Sequence, residues 1–212
     1  MKKTEKIYHQ DQYQKELEAK VLDIDGNKIL LDRTLFIPQT NNEPGDFGKI
    51  DGLKISGSKK DGDNIWHILE KRIPFAVGNT VKLELDWKKR EFAMKHHSAL
   101  HLLAGVFDKA SGKRAVAGVI KTDCASLVFK EEISDEMIKK CVTQANADIK
   151  TGLEIKNWWD KNREGFRWVQ IGTYPAIPCG GLHIKNTCEI EEIMLISKEF
   201  KTGKQKITFK VV

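Results

Sequence analysis

Two short motifs carry side chains that bind borderline-soft cations: His97-Ser98-Ala99-Leu100-His101 and Cys179-Gly180-Gly181-Leu182-His183. Three imidazoles and one thiolate suit zinc, which takes such donors in tetrahedral sites at about 2.0–2.1 Å to nitrogen and about 2.3 Å to sulfur. The two pairs lie about 80 residues apart, whereas a zinc finger folds its pairs around one ion over about 12–20 residues. A cation shared across that interval joins two elements of a built domain, where a reaction site would be placed. Four protein donors fill a tetrahedron, so catalysis there needs a fifth position, a displaceable ligand or a water held elsewhere. His183 accordingly either completes the ligand set or stands beside the other three as a base. No Ser-His-Asp order and no phosphate-cradling glycine loop competes with the metal chemistry.

Both pairs need particular backbones. From Arg90 to Phe107 there is no proline, and Phe92, His97, Leu100, His101, Leu103, Ala104 and Phe107 recur at steps of three and four. That spacing predicts a helix with both histidines on one face, one turn apart and able to reach one ion. An isolated pair of this kind is more often a hydrogen-bonded core feature; the second motif is what favours a metal. His96 points about 100° away around such a helix and is assigned no role. Before Cys179, the run Tyr174-Pro175-Ala176-Ile177-Pro178 predicts a stiff, extended approach. Gly180 and Gly181 then permit a tight turn with backbone N–H groups near the cation, a place to stabilise developing negative charge.

The rest of the chain reads as α+β. Leu17–Ile24 alternates apolar and polar, Asp25-Gly26-Asn27 turns, and Lys28–Asp32 returns, which predicts a hairpin. Further strands are expected at Ile50–Ser56, Ile65–Lys71 and Thr80–Leu85, making a small barrel or sandwich over residues 1–86. In residues 87–212, Ser134 is a good N-cap, Asp135 and Glu136 suit the first turn, and Gly152 closes a helix over Asp135–Lys150. Its buried stripe should be Ile138, Cys141, Val142, Ala145 and Ile149. Strands are expected at Ala115–Ile120, Ala125–Phe129, Arg167–Ile171, Glu191–Ser197 and Lys206–Val212, with the helices covering a mainly antiparallel sheet. Trp158 and Trp159, beside Lys156, Lys161 and Arg163, either stack on an unpaired base or give one ring to the core.

Composition bounds the reading. With 212 residues and 40% hydrophobic content the chain can bury one or two cores. It has no long apolar span and no signal-peptide pattern, so a soluble, cytoplasmic protein is expected, without membrane contact or an evident obligate protein partner. Its four cysteines are expected as one metal ligand and reduced thiols. The formal charge of +6 suits a polyphosphate partner.

The pairing of the HxxxH helix with the CGGxHI turn resembles the editing domains of alanyl- and threonyl-tRNA synthetases, most closely the freestanding alanyl-tRNA editing proteins (AlaX). Asp86-Trp87-Lys88-Lys89-Arg90, the HSALHLL run and Thr187-Cys188-Glu189-Ile190 share that resemblance in order and spacing, which is good over 86–212 and weak before it. It implies a small N-terminal β-barrel followed by an α+β editing domain, with Zn2+ held by His97, His101, Cys179 and His183. The implied activity is trans-acting hydrolysis of the ester of mischarged alanine tRNA, seryl or glycyl, without ATP. Two alternatives remain: the same chemistry on seryl-tRNA of threonine, and a zinc-stabilised RNA-binding module without catalysis. A pocket for serine's hydroxyl is expected along Gly118–Thr122, with Gly118 and Thr122 joining Gly180 and Gly181 in substrate binding. One loop departs from the family form YPxGGGQPxDxG: here Ile37–Gly48 reads IPQTNNEPGDFG, so Thr40-Asn41-Asn42 replace the glycines and Glu43 the glutamine.

Overall fold

Strict alternation of apolar and polar residues makes strands with one buried face, and that pattern builds the first part of the chain. The computed structural model describes residues 3–212 and separates into two units, Met1–Phe92 and Ala93–Val212. The first holds β1 (Glu5–Lys6), β2 (Glu16–Asp25), β3 (Lys28–Leu31), β4 (Arg33–Thr34), β5 (Gly48–Ile50), β6 (Leu53–Asp61), β7 (Asn64–Leu69) and β8 (Thr80–Leu85). β1 and β4 form a short parallel pair. The other six are antiparallel neighbours in the order β2-β3-β7-β6-β5-β8, and β8 pairs back onto β2. Their inward residues, among them Val21, Ile29, Leu31, Ile50, Val81 and Leu83, form one buried cluster. The β2–β3 turn uses Gly26 at φ 62°, a left-handed conformation that costs glycine little.

A charged pair sits inside this unit. Arg90 is buried and donates through Nε to Asp46 Oδ1 at 2.8 Å and through Nη2 to Asp46 Oδ2 at 2.5 Å. The same guanidinium bonds Gln12 O at 2.9 Å and Leu35 O at 2.7 Å. Asp46 Oδ2 also accepts the Ile37 N–H at 2.6 Å, which ties the ends of the loop between β4 and β5 together. Gly48 explains itself sterically, since a Cβ there would lie 2.2 Å from Glu84 O. Of the loop positions shared with the family form, Asp46 and Gly48 therefore have scaffold roles, and the altered tip at Asn41 and Asn42 is exposed.

In the second part, α1 (Trp87–Ser111) starts earlier and ends later than the periodic stretch, and is followed by β9 (Ala117–Ile120), β10 (Ala125–Phe129), α2 (Asp135–Thr151), β11 (Ile155–Trp159), β12 (Arg167–Ile171), β13 (Ile177–Pro178), β14 (Ile193–Lys201) and β15 (Lys204–Val211). Two antiparallel sheets result, β14-β15-β10-β9 and β11-β12-β13. The chain is thus α+β, with two helices on antiparallel sheets. The Ser134 hydroxyl accepts the Met137 N–H, and Gly152 ends α2 at φ 68°. Ile138, Cys141, Ala145 and Ile149 are buried as the stripe predicts, while Val142 is half-buried. Asn146 fastens α2 to β14 with a reciprocal pair, donating to Ile193 O at 2.9 Å and accepting from Ile193 N at 2.8 Å. Trp158 and Trp159 lie on β11 at 40% and 48% exposure, so neither joins the core. Among the described residues no helix is long and apolar enough to cross a membrane.

Candidate metal centre

The helical spacing does what it predicts: His97 and His101 stand one turn apart on α1 with ring centroids 4.8 Å apart. The second motif brings His183 to 4.3 Å from the His97 ring and 4.8 Å from the His101 ring. Cys179 Sγ lies 3.3 Å from His97 Nε2 and 3.4 Å from His183 Nε2. One donor atom from each of the four residues falls within 4.8 Å of all the others, so the group could hold a metal ion. Zinc bonds in a tetrahedron would put neighbouring nitrogen and sulfur donors about 3.5 Å apart, close to both Cys179 distances. His97 and His183 are buried, and His101 Nδ1 is a buried nitrogen with no hydrogen-bond partner among the described residues. A donor set of that chemistry, with one orphaned imidazole nitrogen, fits a cation.

Electrostatics favour the same use. Burial, followed by the neighbouring imidazoles and Arg167, holds His183 well below the usual histidine range; burial does the same to His97, helped by His101 and Arg167. Burial lowers His101 to about 4. All three rings are therefore neutral at neutral pH, the state that binds a cation.

Backbone and polar contacts aim the ligands. The Cys179 N–H donates to Arg167 O at 2.8 Å, so the first residue of β12 fixes the turn. The buried Arg167 side chain reaches back to donate to Gly181 O at 2.5 Å. Burial lowers its pKa while the Cys179 sulfur opposes that shift, placing a guanidinium where it favours thiolate. Ser98, fully buried between the two helical ligands, accepts the Ile184 N–H at 3.2 Å and lies 3.5 Å from His183 Nδ1. Beyond His183, Asn186 caps the short 3-10 helix Thr187–Ile190, and its N–H donates to Glu189 Oε1 at 3.0 Å. The Thr187 hydroxyl accepts the Leu153 N–H at 2.8 Å. These bonds, with Asn186 Nδ2 donating to Gly152 O at 2.8 Å, tie the segment after His183 to the chain leaving α2.

The two glycines divide their roles. Gly181 N–H is committed to Cys179 Sγ at 3.4 Å. Gly180 is exposed, its φ is not left-handed, and an added Cβ would meet nothing within 4 Å, so the fold itself does not require glycine there.

The other sequence candidates have these surroundings. Gly118 is on β9 against Leu100, where a Cβ would come 3.3 Å from Leu100 Cδ1. Thr122 is exposed in the turn to β10. His96 instead accepts the Val211 N–H at 3.1 Å, a fold contact. Arg167 and Ser98 escaped sequence reading: the serine was legible only as a helix residue between histidines, and the arginine only as the start of a strand.

A cluster that could hold a metal ion, shared by one helix and a distant CGG turn on an α+β frame, accords with the resemblance read from the sequence. Residues 166–207 match the family described as the threonyl and alanyl tRNA synthetase second additional domain. The chain is 33% identical over 211 residues to the alanyl-tRNA editing protein AlaX-M of Pyrococcus horikoshii, covering 96% of both chains. It is 30% identical to AlaX-L of the same organism over 91% of this chain and 54% of that protein. To the alanine–tRNA ligase of Metallosphaera sedula it is 29% identical over 92% of this chain, which spans 25% of the ligase. The chain belongs to the alanyl-tRNA editing protein family, AlaX.

Proposed function

We propose that this chain is a zinc-dependent, trans-acting aminoacyl-tRNA hydrolase that cleaves the ester of mischarged alanine tRNA, with the seryl form as main substrate and the glycyl form as second. The observation that carries this reading is the convergence of His97, His101, Cys179 and His183 within 4.8 Å in a chain matching AlaX-M over nearly its whole length. A bound zinc ion would supply Lewis acidity to the ester carbonyl or to a water. His183 serves as a ligand rather than as a base: its Nε2 faces Cys179 Sγ, and its ring is fully buried with Nδ1 toward Ser98. The Gly180 N–H, in an open position, is the donor available to a developing oxyanion. Arg167 keeps the turn in place through its bond to Gly181 O. Residues 1–86 and 87–212 act as a β-barrel module and an editing module, and the work is done in the cytoplasm, where tRNA is charged.

An editing enzyme is needed because a synthetase pocket for alanine discriminates against one small group by only about 1–3 kcal/mol. The test is hydrolysis of seryl-, glycyl- and alanyl-tRNA of the alanine isoacceptor, with seryl-tRNA of threonine alongside. Fast loss of serine from alanine tRNA, abolished by a chelator while circular dichroism persists, is the expected result. Equal rates on seryl- and alanyl-tRNA refute the specificity, and unfolding on chelation marks the metal as structural.

A further inference from the structure

Strand register sets three flat side chains in one row on the second unit. β11, β12 and β13 pair so that Trp158 lies opposite Trp168 and Trp168 opposite Pro178. Directly opposed residues share a face, and strands about 4.8 Å apart make the row about 10 Å wide. The flanking β12 residues, Arg167 and Val169, are buried on the other face, whereas Trp168 is half-buried and Trp158 and Pro178 are exposed. The Trp168 indole N–H donates to Asp160 Oδ2 at 2.7 Å, and Phe166 stands edge-on to the Trp168 ring with centroids 5.4 Å apart. The Arg163 guanidinium lies 5.2 Å from the Phe166 ring centroid. The middle ring is thereby fixed, while the Trp158 ring stays open to solvent.

Position and chemistry choose the occupant. The same strands lead into the ligand cluster: Arg167, which bonds Gly181 O, precedes Trp168 on β12, and Cys179 directly follows Pro178. The row and the cluster are thus held by adjacent residues on one piece of sheet. Of the charges in the loop joining β11 and β12, Asp160 is engaged by the indole, so Lys161 and Arg163 outnumber Glu164. Lys156, on the face of the row, pairs with Glu154 at 3.2 Å. Nucleobases of any sequence stack on such rings, and cations beside the rings meet the phosphates. We propose that the Trp158–Trp168–Pro178 row is a stacking platform for the unpaired nucleotides of the substrate RNA that precede the esterified one. Trp158 is the ring that takes the base, and Lys161 and Arg163 lie beside the phosphates. The assignment rests on the reading of this chain as an aminoacyl-tRNA ester hydrolase.

The experiment uses two variants of one exposed strand position: Trp158→Thr removes the ring and keeps a residue suited to strands, and Trp158→Phe keeps a flat ring. Hydrolysis is measured on seryl-tRNA and on seryl-adenosine, which carries the esterified nucleoside alone. Binding of a labelled single-stranded oligoribonucleotide is followed by fluorescence anisotropy, with a blunt RNA duplex alongside. Trp158→Thr should raise KM for seryl-tRNA and weaken single-strand binding about 5- to 100-fold, the worth of stacking one base on an aromatic ring. It should leave seryl-adenosine hydrolysis and duplex binding unchanged, and Trp158→Phe should keep most of the wild-type affinity. The proposal is overturned if Trp158→Thr changes neither KM nor single-strand binding, or if it slows seryl-adenosine as much as seryl-tRNA. It is also overturned if the variant turns a dimer into a monomer at unchanged RNA affinity, which would give the face to a second copy of this chain. A wild-type protein that hydrolyses neither ester defeats the enzymatic reading, whereas single-strand binding lost in Trp158→Thr would still support the platform.

Discussion

Replacing Arg90 by methionine keeps the length of the side chain and deletes its charge from a site where the guanidinium is 1% and the Asp46 carboxylate 4% exposed. Four hydrogen bonds vanish: two to Asp46, one to Gln12 O and one to Leu35 O. Asp46 keeps only the Ile37 N–H and must be buried as an uncompensated anion or take up a proton. Breaking a buried pair from one side costs about 3–5 kcal/mol, a large share of the roughly 5–15 kcal/mol that holds a typical domain folded. With a urea slope of about 1–3 kcal/mol per molar, the midpoint of the transition involving this unit should fall by more than about 1 M. Asp46→Asn should cost a similar amount, because it strands the arginine. The double variant Arg90→Met with Asp46→Leu should recover much of the loss, since an apolar pair of similar volume is often as stable as the ion pair it replaces. A single-variant loss below about 1 kcal/mol, or a double variant whose loss is the sum of the singles, would refute the coupling.

Three further outcomes follow from the structure. Ser98→Ala leaves the buried Ile184 N–H without its acceptor, costing about 1–3 kcal/mol, and removes the contact behind His183, so zinc affinity measured by competition with a chromophoric chelator should drop about 10–100-fold; unchanged affinity would remove Ser98 from the site. Burial raises Glu43 from 4.5 to about 7, so the unfolded chain ionises first and stability should fall as pH rises from about 4.5 to about 7, by at most about 1.4 kcal/mol per unit and by less for this half-buried group. Below that window both states are protonated and above it both are ionised; Glu43→Gln should flatten the profile, and an identical slope in both proteins would exclude Glu43 as its source. Gly180→Ala keeps the backbone N–H and adds a methyl group with nothing within 4 Å, so fold and zinc content should persist while KM for the tRNA ester rises; an unchanged KM would dismiss a close approach of substrate to this position.

Local signals made part of this molecule legible. The i, i+4 histidines, the Ser134 cap and the Gly152 terminus each speak through neighbours within a turn, and each stands where periodicity put it. The cysteine turn was legible because proline and glycine restrict backbones by themselves. What stayed hidden depends on residues distant in sequence. Arg90 reads as one of several surface charges in a basic run until Asp46, 44 positions earlier, folds over it. Arg167 and Ser98 acquire their roles only across 14 and 86 residues, from Gly181 O and Ile184 N. β11 was missed because its paired tryptophans suggested a binding surface, and its strand character comes from pairing with β12.

The wide gap between the two ligand pairs also orders events at the ribosome. At about 5–20 residues added per second, His97 and His101 are synthesised about 4–16 seconds before His183 follows. During that interval the cluster has its two helical imidazoles but neither Cys179 nor His183, half of its donor set. The four-donor set is therefore complete only once the second motif has been made.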